Sequence, residues 1–467
     1  MKKALTILVA MLFLVVAVGV AYSAETTFNG QYKVRGWSNW NFDKKVTNPS
    51  SERGRYDGYF DQRFRLTITH TRSEFLKAVV QLDLVEDTWG QQRNFRINNS
   101  TTGNLVRKAY IEFTLPKVGT FTVGKQPALL GYGLAFADSG GLLDGLKWSN
   151  KWGMVGVSAM YFKFDDNILL GGASEFYNRD SALWLLDVAI TPNDNHTIEL
   201  FGGYAKYGAG APATHNLVYN GFMSDDVDAD LGLVGLAYTG EFADMITVKG
   251  EFSWLFGEAD FVDVGGVNDS YLSGHNLYLD ASYHNDLMRI GAAFVYGSGD
   301  TSSGYGANHY NVNFITADEF VFGNIIASGN GGLNDAFGGG LGFCDDIENL
   351  TAAKLYFEIY PLCCDGKLSL NAAVIWAKWT EDVGAGTPYD HPVSYYGNNF
   401  TPFGYASTDL GWEIDFGLSY EIMEGLTYSL ATGVLFTGDS FDYVGVGGTH
   451  EKWGPIWTVN NNLIYEF

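Results

Sequence analysis

The sequence predicts an all-β protein: a transmembrane, antiparallel up-and-down β-barrel of about 18 strands, with 16 as the alternative count. Three observations carry that reading. Glycine supplies 58 of 467 residues, aromatic side chains 15% and charged ones only 18%; an average soluble chain has about 7% Gly and about 25% charged residues. Segments of roughly ten residues alternate apolar and polar side chains, each ending in a turn. The connections between those segments alternate short and long along the chain. Only one apolar run is long enough for a membrane helix, so a bundle of transmembrane helices is excluded.

That run opens the chain. Lys2 and Lys3 precede apolar residues 4–20, followed by Ala21, Tyr22, Ser23, Ala24 and polar Glu25. A charged n-region, an apolar h-region and a small-residue exit make a secretory signal peptide. Residues 1–24 are therefore set apart from a single barrel domain over 25–467. A retained anchor helix is the competing reading, and cleavage after Ser23 or after Ala24 both stay open. No cysteine lies near the site, which excludes a lipoprotein. Without the leader the chain carries 27 basic and 53 acidic side chains, a net of −26, which excludes nucleic acid as a partner. The three cysteines, Cys344, Cys363 and Cys364, form neither a disulfide framework nor a zinc site. A strand separating Cys344 from the other two would forbid a bridge between them.

Alternation is clearest over 408–421. Leu410, Trp412, Ile414, Phe416, Leu418 and Tyr420 share one face; Asp409, Gly411, Glu413, Asp415, Gly417 and Ser419 share the other. The same pattern predicts strands at 27–42, 58–70, 75–86, 105–115, 120–126, 145–149, 153–164, 181–190, 197–207, 230–241, 245–258, 271–284, 287–298, 352–360, 368–380, 408–421, 425–437 and 453–467. Eight connections are short turns. Nine are long: 43–57, 87–104, 127–144, 165–180, 208–229, 259–270, 299–351, 381–407 and 438–452. A soluble sandwich has no reason to gather its long loops at one end, whereas a membrane barrel does. An even strand count closes the sheet and removes the edges that lipid would penalise. Aromatics near strand ends (Trp37 and Trp40, Tyr59 and Phe60, Trp148 and Trp152, Trp376 and Trp379, Trp453 and Trp457) fit two interfacial girdles.

The leader, the meander and the last five residues, Leu463-Ile464-Tyr465-Glu466-Phe467, resemble a Gram-negative outer-membrane porin. Phe467, with Tyr465 and Leu463 at alternate positions, is similar to the signal read by the barrel-assembly machinery. Residues 108–113 and 123–126 also resemble strands of general porins and of alginate-exporter-type barrels. The Pro-Glu-Phe-x-Gly constriction motif is absent, so the resemblance leaves subfamily and a possible homotrimer open. It implies an outer-membrane location with extracellular loops and periplasmic termini, contact with outer-membrane lipid and lipopolysaccharide, and passive diffusion of small hydrophilic solutes and ions through a water-filled channel; a substrate-specific channel for a saccharide or organic acid, as in the alginate exporter, and a structural or adhesive surface barrel are the alternatives.

Strand parity then selects lumen residues. Lys33, Arg35, Arg63, Arg65, Lys77 and Lys108 share the polar face of the first four strands with Asp61, Asp83 and Glu112. Glu358, Asp409, Glu413 and Asp415 form an acidic wall on later strands, with Lys354 among them. Two facing walls of opposite sign orient polar solutes; mutual neutralisation as plain packing is the alternative. The apolar loop 127–144 would be unusual standing in water, so it is expected to fold inward as a constriction bearing Asp138 and Asp144, or else to pack on neighbouring loops or a subunit. Loop 299–351, with seven acids and no Lys or Arg, is long enough to be functional and could cover the mouth or plug the lumen. Asp225, Asp226, Asp228 and Asp230 could hold Ca²⁺, although they lack the Gly and Glu of an EF-hand loop; no other cofactor is expected. No Gly-x-Ser-x-Gly or His-Glu-x-x-His motif occurs, and His284 lies on the polar face of its strand, so no enzyme activity is expected. The acidic loops predict weak cation preference at low salt.

Overall fold

The computed structural model describes residues 24–41, 56–89, 106–165, 181–207, 227–261, 270–299, 320–327, 347, 349–361, 364, 366–381, 407–441, 443–444, 450–452 and 454–467. The expected leader therefore lies outside the described residues, apart from Ala24. In chain order the barrel strands are β1 (Glu25–Trp40), β2 (Tyr56–Ser73), β3 (Leu76–Thr88), β4 (Val106–Leu115), β5 (Gly119–Leu129), β6 (Ala137–Trp152), β7 (Val155–Asp165), β8 (Ser181–Asn193) and β9 (His196–Tyr207). They continue with β10 (Val227–Phe242), β11 (Ile246–Phe261), β12 (Ser270–His284), β13 (Met288–Gly297), β14 (Leu350–Ile359), β15 (Leu368–Trp379), β16 (Asp409–Met423) and β17 (Leu426–Thr437). Two short strands, β18 (Tyr443–Val444) and β19 (His450–Glu451), pair as a separate hairpin before the last barrel strand, β20 (Ile456–Glu466).

Every barrel strand pairs antiparallel with its neighbours in the chain, and β20 pairs with both β17 and β1. The 18-stranded sheet is closed. All 18 predicted segments are strands, with end shifts of a few residues at most sites. The largest departure is at β5 and β6, which run through most of the expected loop 127–144. Pairing skips Pro127: Gln126 faces Leu143, and Ala128 then faces Asp138. A proline at such a bulge gives up no ladder hydrogen bond, so the two strands continue outward. The connection shrinks to residues 130–136.

Alternation sets the two faces as expected. On β16, Trp412 and Phe416 are 54% and 55% exposed on the outer surface, while Glu413 and Asp415 are buried inside. Exposed apolar residues recur at outward positions around the barrel, such as Ile111, Leu186, Val234, Leu279 and Leu355. That outer surface suits hydrocarbon and not water. Leu410 departs from the predicted face. The β15–β16 register shifts between Ala377 and Lys378, leaving Leu410 as an extra, buried residue. Three girdle candidates also point inward: Trp37 and Trp379 are buried, and the Tyr59 ring stacks on Trp37. Trp40, Phe60, Trp152 and Trp457 are exposed on the outside. Trp453 lies outside the described residues.

The lumen side of the sheet is not uniformly polar. Leu183, Leu185, Leu231, Leu233, Val295, Ile375 and Leu435 are buried there, and two segments folded into the barrel cover them.

Candidate functional site

The first covering segment is 130–136. Leu130, Leu134 and Phe136 are buried, with Leu130 and Phe136 packed against inward side chains of β7 to β11. Each such side chain contributes about 2 kcal/mol by leaving water, and the apolar wall beneath gains the same shelter. Local chemistry fixes the turn. Gly133 N–H donates to Leu130 C=O at 3.0 Å, and Leu130 N–H to Phe136 C=O at 3.3 Å. Gly131 has φ +54°, and a Cβ there would come within 2.5 Å of the Glu251 carboxylate; glycine is required for both reasons. Wall carboxylates then grip the exposed amides: Gly131 N–H donates to Glu199 at 2.7 Å, and Tyr132 N–H donates to Glu251. The Tyr132 hydroxyl bonds to Thr239, Lys249 lies 5.7 Å from its ring centroid, and its ring meets Tyr278 edge-on at 5.6 Å. Burial pushes the Tyr132 phenol above its ordinary pKa, so it acts as a neutral hydrogen-bonding group.

The second segment, 320–327, belongs to the long acidic connection. Its own turn closes through Phe322 N–H to Ala327 C=O at 2.8 Å and Gly323 N–H to Ile326 C=O at 2.9 Å. Phe320, Phe322, Ile325 and Ile326 are buried in a cluster with residues of β13 to β17 and β20, and Leu134 joins the same cluster. Glu413 accepts from Ile325 N–H at 2.8 Å and Ile326 N–H at 2.9 Å. Asp415 accepts from Asn324 N–H at 3.2 Å. Lys354 donates to Phe322 C=O at 2.6 Å. The two segments converge at aromatic rings, since Tyr278, which touches Tyr132, also meets Phe320 at 5.2 Å.

This geometry revises the acidic wall. Glu413 and Asp415 face inward, as parity requires, but both are buried beneath 320–327 and bind its backbone, so they do not line open water. Glu358 faces Arg289 across β13–β14. Asp409 sits at the end of β16, beside the bulge, and accepts from Gly411 N–H at 3.1 Å. It caps its own strand end.

The constriction acids also separate. Asp138 is buried and accepts from Leu143 N–H at 3.1 Å, holding the start of β6. Asp144 is not a lumen residue. It lies within β6 on the same face as exposed Leu146 and opposite to buried Leu143, with Lys125 and Lys163 directly across on the flanking strands. It was misplaced because its loop is in fact strand, where alternation decides direction.

All six basic residues sit on the inner face of β1 to β4. Arg35 pairs with Asp61 at 2.6 Å, and Trp37 Nε1–H donates to the same carboxylate at 3.0 Å. Arg65 grips Asp83 through two bonds of 2.6 and 2.9 Å, with Arg107 Nε 3.5 Å away. Lys77 pairs with Glu112 at 2.8 Å. Arg63 donates to Gln31 at 3.0 Å. Lys108 faces Gln81. Lys33 stands directly across from Arg63. On its other side Arg63 faces Glu86 of β3, so a lysine, an arginine and a glutamate stand in register across β1, β2 and β3.

Of the suggested calcium ligands, Asp225 and Asp226 lie outside the described residues. Asp228 is in β10, and Asp230 is on the outer face, accepting from the Tyr204 hydroxyl. Among the described residues, no three His, Cys, Asp or Glu side chains gather as a metal site. Sequence reasoning missed Glu199, Glu251, Lys249 and residues 320–327. The signal for the last was the apolar stretch Phe320-Val321-Phe322 and Ile325-Ile326-Ala327 inside an acidic loop.

No family model matches the chain, and no curated protein matches it. Solved structures of similar fold include the outer membrane protein OprD from Pseudomonas aeruginosa, at 11% identity and TM-score 0.49, covering 95% of this chain and 93% of that one. OccAB2 from Acinetobacter baumannii is similar at 11% identity and TM-score 0.49, covering 95% and 98%. OpdQ from Pseudomonas aeruginosa is similar at 11% identity and TM-score 0.48, covering 95% and 97%.

Proposed function

We propose that the protein is an outer-membrane porin, a channel that admits small hydrophilic solutes and ions, with its long connections extracellular and its termini periplasmic. The observation that carries this is a closed barrel, apolar outside, whose inner face on β1 to β4 carries six basic side chains, from Lys33 to Lys108, beside Asp61, Asp83 and Glu112. The two segments on the opposite wall narrow the lumen and favour a selective channel over a general one. Solutes then pass between a basic strip and a cover presenting aromatic rings and backbone, a combination that orients polar molecules and retards apolar ones. No step of chemistry is required of the barrel, and the Phe467 strand is the segment offered to the assembly machinery.

The experiment is electrical. The full chain in planar bilayers should give ohmic openings, and a KCl gradient should show weak cation preference at low salt that fades as salt rises, because charges at the mouth are screened over about 8–10 Å. Lys33→Glu with Arg63→Glu should strengthen cation preference at every salt concentration. Sealed bilayers would refute the channel. An unaltered reversal potential in the double variant would mean that those side chains do not face the ion path.

A further inference from the structure

We infer that the lumen wall of β4 to β8, at its short-turn end, carries a binding site for a neutral polyhydroxylated solute, a sugar or sugar alcohol. The inference deepens the channel reading and rests on it. Ile111, Val123, Leu146 and Tyr161 are exposed on the outer surface. Thr114, Thr120, Ser149 and Ser158, each three places away along its strand, therefore face the lumen. These four stand in register: Thr114 faces Thr120, Thr120 faces Ser149, Ser149 faces Ser158, and Ser158 faces Asp187. Four hydroxyls and a carboxylate thus cross neighbouring strands at one level, with strands about 4.8 Å apart.

The row lines an open cavity of about 360 Å³, a size that suits a small molecule. One level nearer the turns Lys151 faces Gly156, and Gly156 faces Ala189. A Cβ on Gly156 would meet nothing closer than the Ala189 carbonyl oxygen, at 3.8 Å, so the space above it is open. Thr114 and Thr120 bond to one another at 2.9 Å. The Ser149 and Ser158 hydroxyls have no hydrogen-bond partner among the described residues. Lys117 and Lys151 are exposed at the turn-side rim, while Asp187, in side-chain contact with Glu199, closes the other end. An anion would meet the two acids, and a cation would meet the two lysines. A neutral polyol meets neither obstacle. Its hydroxyls both donate and accept, as those of the wall do, and Lys151 adds a charge-assisted donor. Ala189 also faces Glu199, whose carboxylate holds the Gly131 amide. The cavity therefore adjoins the inner segment 130–136, on the path from the constriction to the short turns.

The test uses the full chain, in planar bilayers for current and in detergent for binding, with lactose as the probe and lactobionate as its anionic counterpart. Millimolar lactose should interrupt the open-channel current and should bind the detergent-solubilised protein in equilibrium dialysis. Lactobionate should do both more weakly. Ser149→Val with Ser158→Val removes two hydrogen-bonding groups and keeps residues that suit a strand. It should raise the half-saturating lactose concentration about 30-fold, since each bond matters at the level of roughly fivefold. Gly156→Trp, which fills the open floor, should abolish binding. Lactose affinity unchanged in both variants overturns the site, as does the absence of lactose binding by the unaltered protein. Tighter binding of lactobionate overturns the neutral class of solute. The two readouts separate the failures. A chain that conducts without binding lactose loses the site and keeps the channel, whereas one that binds lactose with this variant pattern but never conducts loses the channel and keeps the site.

Discussion

At the scale of single residues, Glu413 illustrates how the lumen is built. Its two oxygens accept from the amides of Ile325 and Ile326, and the side chain is wholly buried. Removing it leaves two buried N–H groups without acceptors, at about 1–3 kcal/mol each. Glu413→Ala should therefore free the 320–327 turn from the wall, raising single-channel conductance and adding fast fluctuations. Glu413→Gln keeps one acceptor oxygen and should fall between the two. Identical conductance in all three proteins would show that the segment does not narrow the ion path. The inward direction of Glu413 was legible from alternation alone. Its partner was not, because a loop about ninety residues away supplies it and no periodicity links a loop to a wall.

At the scale of elements, the strands were legible and the boundary of one loop was not. Period-two alternation survives wherever one face meets lipid, which is why all the barrel strands could be placed. It blurs where both faces are apolar. Residues 181–190 of β8 read Ser-Ala-Leu-Trp-Leu-Leu-Asp-Val-Ala-Ile, nearly continuous hydrophobics, the pattern of a strand covered on both sides. That run was itself the sign that something lies over the lumen face there. The cover is 130–136, shorter than expected because β5 and β6 pair past Pro127. Replacing 131–135 by two glycines should widen the pore and also wet Leu183, Leu185, Leu231 and Leu233. Conductance should rise while the thermal unfolding temperature falls, both measured on the same reconstituted preparation. A wider pore with unchanged stability would mean that the apolar wall is not sheltered by this segment.

At the scale of the whole molecule, stability depends on closing the sheet, because one open seam exposes two strand edges to lipid. The seam joins β1 to β20 from Gln31 opposite Glu466 to Trp40 opposite Trp457. Phe467 extends it by two backbone bonds to Gly30, at 2.8 and 3.1 Å. Its ring covers Gly30 so closely that a Cβ there would lie 2.1 Å from it, and it stacks at 5.5 Å on Tyr465 and 6.4 Å on Phe64. The last residue is thus part of the closure itself, which the resemblance of the C-terminal strand to an assembly signal did not reveal. Three variants separate its parts. Phe467→Ala keeps the backbone bonds and loses two ring contacts worth about 0.5–1.5 kcal/mol each. Gly30→Val keeps the phenylalanine but drives its ring off the strand. Deleting Phe467 removes ring and bonds together and should be the most damaging. The temperature at which the folded band gives way to the unfolded one on a detergent gel should fall least for Phe467→Ala and most for the deletion. A deletion that leaves that temperature unchanged would show that the seam is held by the ladder from Gln31 to Trp40 alone, with the terminal aromatic serving only during assembly.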